Sequence, residues 1–215
     1  MREDTESLPP VDPPPTPPRQ KLKIKLSDGK EREIQHMIAT SFWSADGRVI
    51  SVEEFLEGLF GVLPEYFKSE EELRALWSNP KTRKTLLEKL AEAGYGKESL
   101  ESIQKLINAE NSDLFDVLEY ISFAHKPITR AARVFAAQIS INKVLDERQR
   151  EFVEFVLSKY IESGVGELDQ EKLPHLLQLK YQALSDAAAI LGGTDKILST
   201  FIDFQKHLYQ KTAAA

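Results

Sequence analysis

The sequence predicts a mainly α fold: an irregular helical domain of about eight or nine helices behind a small N-terminal β hairpin. Three observations predict it. Apolar residues alternate with lysines from Lys21 to Leu26, and the period turns helical from Ser51 onward. Ser-x-x-Glu patterns at Ser51 and Ser69 stand directly before apolar stripes, where a helix needs its first amides capped. No segment recurs at a period of about 30–45 residues, which argues against a solenoid.

Residues 1–20 carry Pro9, Pro10, Pro13, Pro14, Pro15, Pro17 and Pro18 and almost nothing apolar. That composition predicts an extended, stiff tether. It leaves two readings open, a linker from a preceding domain or a native unfolded tail. Residues 21–50 read as a β element. Leu22, Ile24 and Leu26 share one strand face, Asp28-Gly29 is a turn, and Arg32 to Phe42 is the return strand with Ile34, Ile38 and Phe42 apolar. Asp46-Gly47 marks a second turn.

The helical domain spans 51–209. Phe55, Leu56, Leu59 and Phe60 form the first stripe, ended by Gly61 and Pro64. Leu73, Leu76 and Trp77 follow Ser69; Asn79-Pro80 breaks that helix and opens the next, lined by Leu86, Leu87 and Leu90 up to Gly94. Leu100, Ile103, Leu106 and Ile107 give another. Ser112 is expected to cap a short helix holding Leu114, Phe115, Leu118 and Ile121. Thr129 to Val144 is Ala-rich, with Val134, Ile139 and Ile141 offered to the core. Asp146 to Ser163 is the most regular helix, stopped by Gly164. Helices near 169–181, 185–191 and 194–209 complete the domain, the last capped by Thr194; residues 210–215 are a frayed tail.

The chain holds 28 basic against 34 acidic residues, a formal charge of −6, and no cysteine. Such an acidic chain is no general nucleic-acid coat, which needs clustered Lys and Arg. Without cysteine there is no disulfide scaffold, Cys-ligated zinc or Cys nucleophile. No apolar run reaches the roughly 18–20 residues that span a bilayer, and the acidic, proline-rich start lacks the basic and apolar regions of a signal peptide. These features suit a soluble protein of the cytoplasm.

Catalytic motifs are equally sparse. Gly96-Lys97-Glu98 and Gly29-Lys30-Glu31 place an acid where a phosphate loop needs Ser or Thr. Asp28-Gly-Lys30 matches half of a PD-(D/E)xK nuclease motif but sits in the turn, with upstream acids only in the tether. His36, His125, His175 and His207 show no metal-ligand spacing. A Ser-His-Asp triad assembles from distant positions, and no nucleophile elbow points to one. The sequence therefore names no catalytic, cofactor-binding or metal residue.

Two basic groupings are the candidate contact residues. Lys81, Arg83 and Lys84 share one turn at a helix start, where a cation opposes the helix dipole. Arg130 and Arg133 share a helix face. Either group can meet DNA phosphates or an acidic partner, or be absorbed by internal acids such as Asp113 and Asp116. Trp43 and Trp77 are expected as core anchors; an exposed Trp would instead mark a binding hot spot.

Several stretches together resemble one family. They are Asp28-Gly-Lys-Glu-Arg-Glu-Ile34, Ser51-Val-Glu-Glu-Phe-Leu56, Leu73-Arg-Ala-Leu-Trp-Ser-Asn-Pro-Lys-Thr-Arg83, Ser112-Asp-Leu-Phe-Asp-Val-Leu118, Pro127-Ile-Thr-Arg130, Gly164-Val-Gly-Glu-Leu168 and Phe201-Ile-Asp-Phe-Gln-Lys-His-Leu-Tyr209. Over residues 21–209 the chain resembles the C-terminal domain of the R subunit of type I restriction endonucleases, EcoEI-like class. The resemblance implies a parent subunit with a metal-dependent nuclease domain and an ATP-driven DNA translocase, followed by this helical domain. It implies docking of the motor onto the methyltransferase core of M and S subunits. ATP and magnesium belong, on this resemblance, to the motor and nuclease domains alone, and the proline-rich start becomes the linker from the motor. Three alternatives stay open: a module that guides DNA between motor and core, a catalytic domain with dispersed residues, and a structural cap on the motor lobe.

Overall fold

The structure is a computed structural model, and it describes residues 21–35, 41–44 and 46–210. The tether at 1–20, Ile38 of the expected return strand, and 211–215 of the tail lie outside the described residues.

Lys21–Lys25 (β1) and Glu31–Gln35 (β2) form the expected antiparallel hairpin, with Leu22 opposite Ile34 and Ile24 opposite Arg32. Gly29 supplies the positive φ of the turn, at +76°. The return strand does not run on to Phe42 as one element. Phe42–Trp43 (β3) pairs instead with Val49–Ile50 (β4), in a second two-stranded sheet; residues 36–40 between β2 and β3 lie outside the described residues. Ile24, Leu26, Ile34 and Phe42 are buried in the same apolar cluster as the helices, so the β element is part of the main core.

The remainder is helical, and its ends follow local rules. Val52–Val62 (α1) starts with a complete capping box: Ser51 Oγ accepts the Glu54 amide and Glu54 Oε2 accepts the Ser51 amide. Gly61 does not end it; the chain tightens into a 3-10 turn at Leu63–Glu65. Glu70–Ser78 (α2) is capped by Ser69, but the Glu72 carboxylate reaches past Ser69 to the Lys68 amide. Asn79 serves as C-cap of α2 and N-cap of Pro80–Glu92 (α3), which fixes a sharp corner. Lys97–Leu106 (α4) and Leu114–Phe123 (α5) follow. Asp113, not Ser112, occupies the N-cap of α5, where the Asp116 carboxylate accepts its amide.

Arg130–Val144 (α6), capped by Thr129, and Glu147–Ser163 (α7), capped by Asp146, are the long pair. Gly164 ends α7 at φ +94°. Two 3-10 turns then lead to Leu173–Tyr181 (α8), Leu184–Leu191 (α9), Thr194–Asp203 (α10) and the single turn Gln205–Leu208 (α11). The expected last helix is thus split after Asp203, and Thr194 is its first helical residue rather than its cap. α11 packs on α6 and α2, and α5 packs on α1, α2 and α4. Trp77, Phe115, Phe152, Tyr160, Phe201 and Tyr209 fill the interior.

Candidate functional site

The arginines nominated for contact are mostly spent inside the fold. Arg83 is buried; its guanidinium donates to the Trp77 and Leu168 carbonyls, to Gln205 Oε1 at 3.1 Å and to Asp169 Oδ1 at 2.9 Å. Arg133 is buried too, and one of its nitrogens donates to both Asp116 oxygens at 2.7 and 2.8 Å. Arg130 donates to the carbonyls of Ile161, Glu110 and Ser112, which ties the start of α6 to the end of α7. Lys84 pairs with Glu171 at 2.6 Å on the surface. Lys81 alone of the five is exposed with no ion pair among the described residues. A basic face built from all five therefore has two members under cover.

Around Arg133 the helices share one polar knot. Its guanidinium lies over the rings of Phe115 and Tyr209, 5.1 and 4.8 Å from their centroids. Asp113 Oδ2 accepts the hydroxyls of Tyr160 and Tyr209 at 2.5 and 2.8 Å. Asp116 also accepts the Ile128 amide just before α6. One Arg thus faces two carboxylates in a dry interior. Burial is the main cause that pushes the Asp113 carboxyl upward, against the opposing pull of Arg133 and the two tyrosines. Burial likewise drives the Tyr160 and Tyr209 hydroxyls well above their ordinary range.

A carboxyl raised in the fold favours the protonated fold. Its contribution to stability is complete below the ordinary carboxylate range and is lost as pH rises through the raised value. Asn at 113 keeps an acceptor for both tyrosines and removes the carboxylate that Arg133 does not need. Asp113→Asn is therefore expected to hold stability at pH 7 or raise it by up to about 1 kcal/mol, with a melting temperature that falls less as pH rises above the ordinary carboxylate range. A loss above about 2 kcal/mol at pH 7 would show the charge to be required.

Beside this knot, a cavity of about 370 Å³ is lined by Arg74, Glu119, His125, Lys126, Ala136 and His207 among others. Glu70, Glu119 and His125 place ligand-type atoms within 4.8 Å of one another. The sequence did not pair them, because α2 and α5 bring them together from distant positions. A cation of the protein already serves this cluster: Arg74 donates to Glu119 and lies 3.9 Å from Glu70. Burial raises the Glu119 carboxyl, with Arg74 opposing, and burial lowers the His207 imidazole. The arrangement is an ion-pair network, in which His125 also lies 3.2 Å from Glu70.

What the interior does not absorb is the outer side of α6. Arg133, Ala137 and Ile141 form its inward row. Phe135 is 80% exposed and Ile139 70%, one turn apart, with Ala131, Ala132 and Ala136 exposed around them. Ile139 was expected in the core, but its row faces away from the row that Arg133 begins. Trp43, expected as an anchor, is 57% exposed and stands opposite exposed Val49. Trp77 is fully buried against Phe115, as expected of an anchor.

A family model described as EcoEI R protein C-terminal matches residues 53–209. It covers every helix from α2 to α11 and nearly all of α1, and leaves out the β element. No curated protein and no solved structure matches the chain.

Proposed function

Since this chain belongs to the EcoEI R protein C-terminal family, the C-terminal domain of type I restriction enzyme R subunits, we propose that it docks the ATP-dependent DNA translocase of such an enzyme onto the methyltransferase core of M and S subunits. In this role the domain is non-catalytic. It keeps the motor beside DNA-bound core while flanking DNA is drawn in, in restriction of foreign DNA. ATP and magnesium serve the motor and nuclease domains, and this chain takes no cofactor. The setting is the cytoplasm; no helix among the described residues is long and apolar enough to cross a membrane.

The observation that carries this reading is the bare apolar face of α6, with Phe135 and Ile139 in water. Large apolar side chains cost free energy when hydrated, and an exposed row of them marks a surface made to be covered. The buried arginines support the same reading, since phosphate contact needs guanidinium groups at the surface.

Titration of the chain against the M–S core, with and without duplex DNA, is the test. The expected result is saturable binding to the core without DNA, and competition by intact R subunit. Absence of core binding together with salt-sensitive binding to bare duplex would replace docking with DNA guidance. Absence of both would favour a cap on the motor lobe.

A further inference from the structure

We infer that the cavity where α2, α5, α6 and α11 meet is a binding site for a free, phosphate-sized oxyanion, held by the Nε groups of Arg74 and Arg133 and by the His207 ring. This goes beyond docking and does not depend on it.

Three side chains around this cavity of about 370 Å³ keep donors without acceptors. Arg74 gives one terminal nitrogen to the Tyr209 carbonyl at 3.0 Å and the other to Glu119, and its buried Nε donates to nothing. Arg133, 3% exposed, repeats the pattern. Its terminal nitrogens go to the Leu208 carbonyl and to Asp116, and its Nε has no hydrogen bond, with Asp113 Oδ2 3.9 Å away. Both ring nitrogens of His207 are buried without a hydrogen bond of good geometry, and Gln210 is close enough to act on its proton. A buried N–H without an acceptor costs free energy, so donors from three side chains around one space favour an acceptor placed there. Arg150 Nε is also unpartnered, but it lies outside this cavity.

Charge and size narrow the acceptor. Arg74, Lys126 and Arg133 share the lining with a single carboxylate, Glu119. Further acids stand close: Asp116 holds Arg133, Glu70 lies 3.9 Å from Arg74 and 3.2 Å from His125, and Glu33 is within electrostatic reach of Lys126. The arginines therefore supply directed N–H groups more than net charge, and protons supply the rest. Burial lifts the Glu119 carboxyl and lowers the His207 imidazole, and an anion beside either one favours its protonated form. Donors on three helices suit an anion with three or more oxygens, where a carboxylate has two. The volume admits a phosphate group with waters around it. Duplex DNA carries its phosphates on a rod too wide to enter, so they do not reach Arg133. A small free anion does, past the half-exposed His125 and the exposed Lys126. Because Arg74, Arg133 and His207 come from α2, α6 and α11, one anion would fasten α11 to both helices on which it packs.

The experiment titrates the full chain with inorganic phosphate, at an ionic strength held constant with chloride, and follows the arginine Nε–H resonances by NMR. The expected result is saturable shifts at Arg74 and Arg133 in millimolar phosphate, with Arg130 and Arg150 unmoved. Melting temperature is expected to rise with phosphate and not with chloride. His207→Gln is expected to weaken binding by about tenfold, and Lys81→Ala, at an exposed position on α3, to leave it unchanged. If His207→Gln unfolds the domain, the shifts in the unaltered chain still decide. Absence of saturable shifts at Arg74 and Arg133 would overturn the site and leave those donors to water. Equal shifts at all four arginines, or equal weakening by Lys81→Ala, would reduce the effect to general ionic attraction and overturn it as well. Acetate binding as tightly as phosphate would overturn the phosphate assignment and give the cavity to a carboxylate.

Discussion

Replacing Arg133 with methionine is expected to destabilise the domain by about 3–5 kcal/mol, seen as a lower urea midpoint with an unchanged slope. Methionine restores much of the volume, so the loss isolates the charge. Asp116 would keep the amides of Asp113 and Ile128 but lose the guanidinium that donates to both of its oxygens. Asp113, fully desolvated, would lose the cation that opposes its burial. Two carboxylates in a dry interior then lack a cation, and hydrating or protonating them is the main cost. Lost stacking over Phe115 and Tyr209 adds a smaller share. Combining Arg133→Met with Asp116→Asn should recover part of the loss. A cost below about 1 kcal/mol for Arg133→Met alone would mean that the pair is hydrated or dispensable.

Arg32→Ala is expected to cost about 2–4 kcal/mol, concentrated at the β element rather than spread over the helices. Arg32 has no exposed surface. Its guanidinium donates to the Tyr120 and Ile121 carbonyls at 2.8 and 2.6 Å, to the Lys30 carbonyl at 3.2 Å and to Asp28 at 2.9 Å. Tyr120 and Ile121 belong to the last turn of α5, where the Tyr120 carbonyl also accepts the Ala124 amide and the dipole favours a cation. The same side chain thus fills the C-terminal end of α5 and pins the hairpin to it. Tyr120 adds a second tie, with its hydroxyl set between the backbone amide and carbonyl of Glu33. Amide hydrogen exchange is the direct measurement. Residues of β1 and β2 should lose protection in Arg32→Ala while α7 keeps its own. Uniform loss across both would show that the hairpin and helices open as one unit.

Much of the fold was legible because its signals are local. The Ser51 box, the Asn79-Pro80 corner, Asp146 and Gly164 each fix a boundary by a bond within four residues. What the sequence left open was decided by remote partners. Arg83, Arg133 and Arg32 look like surface charges by residue type, and each meets partners dozens of residues away. A positional signal was nevertheless present. Arg133 stands in the i, i+4, i+8 row of Ala137 and Ile141; Arg83 leads the row of Leu86 and Leu90; Arg32 alternates with Ile34. Each marks the buried side more reliably than residue type does. Read the same way, Phe135 and Ile139 fall outside the inward row and stand exposed. Trp43 carried no such signal, since a two-residue strand has no period to read. The acid and imidazole cluster at Glu70, Glu119 and His125 was invisible for another reason: its members come from separate helices.

The polar knot is finished by the far end of the described chain. Tyr209 donates its hydroxyl to Asp113, while the Leu208 and Tyr209 carbonyls accept from Arg133 and Arg74. A ribosome lays the chain down from its first residue, so α5 and α6 emerge long before these last partners exist. During that interval Arg133 and the two aspartates lack part of their shell, and α11 does not yet cover the inner side of α6. The domain therefore gains its final rigidity only after residue 209 has been made, as expected of a unit that folds whole rather than helix by helix. In a nascent chain the outer α6 row stands on an unseated helix, and it becomes an ordered surface only after synthesis has passed the last turn.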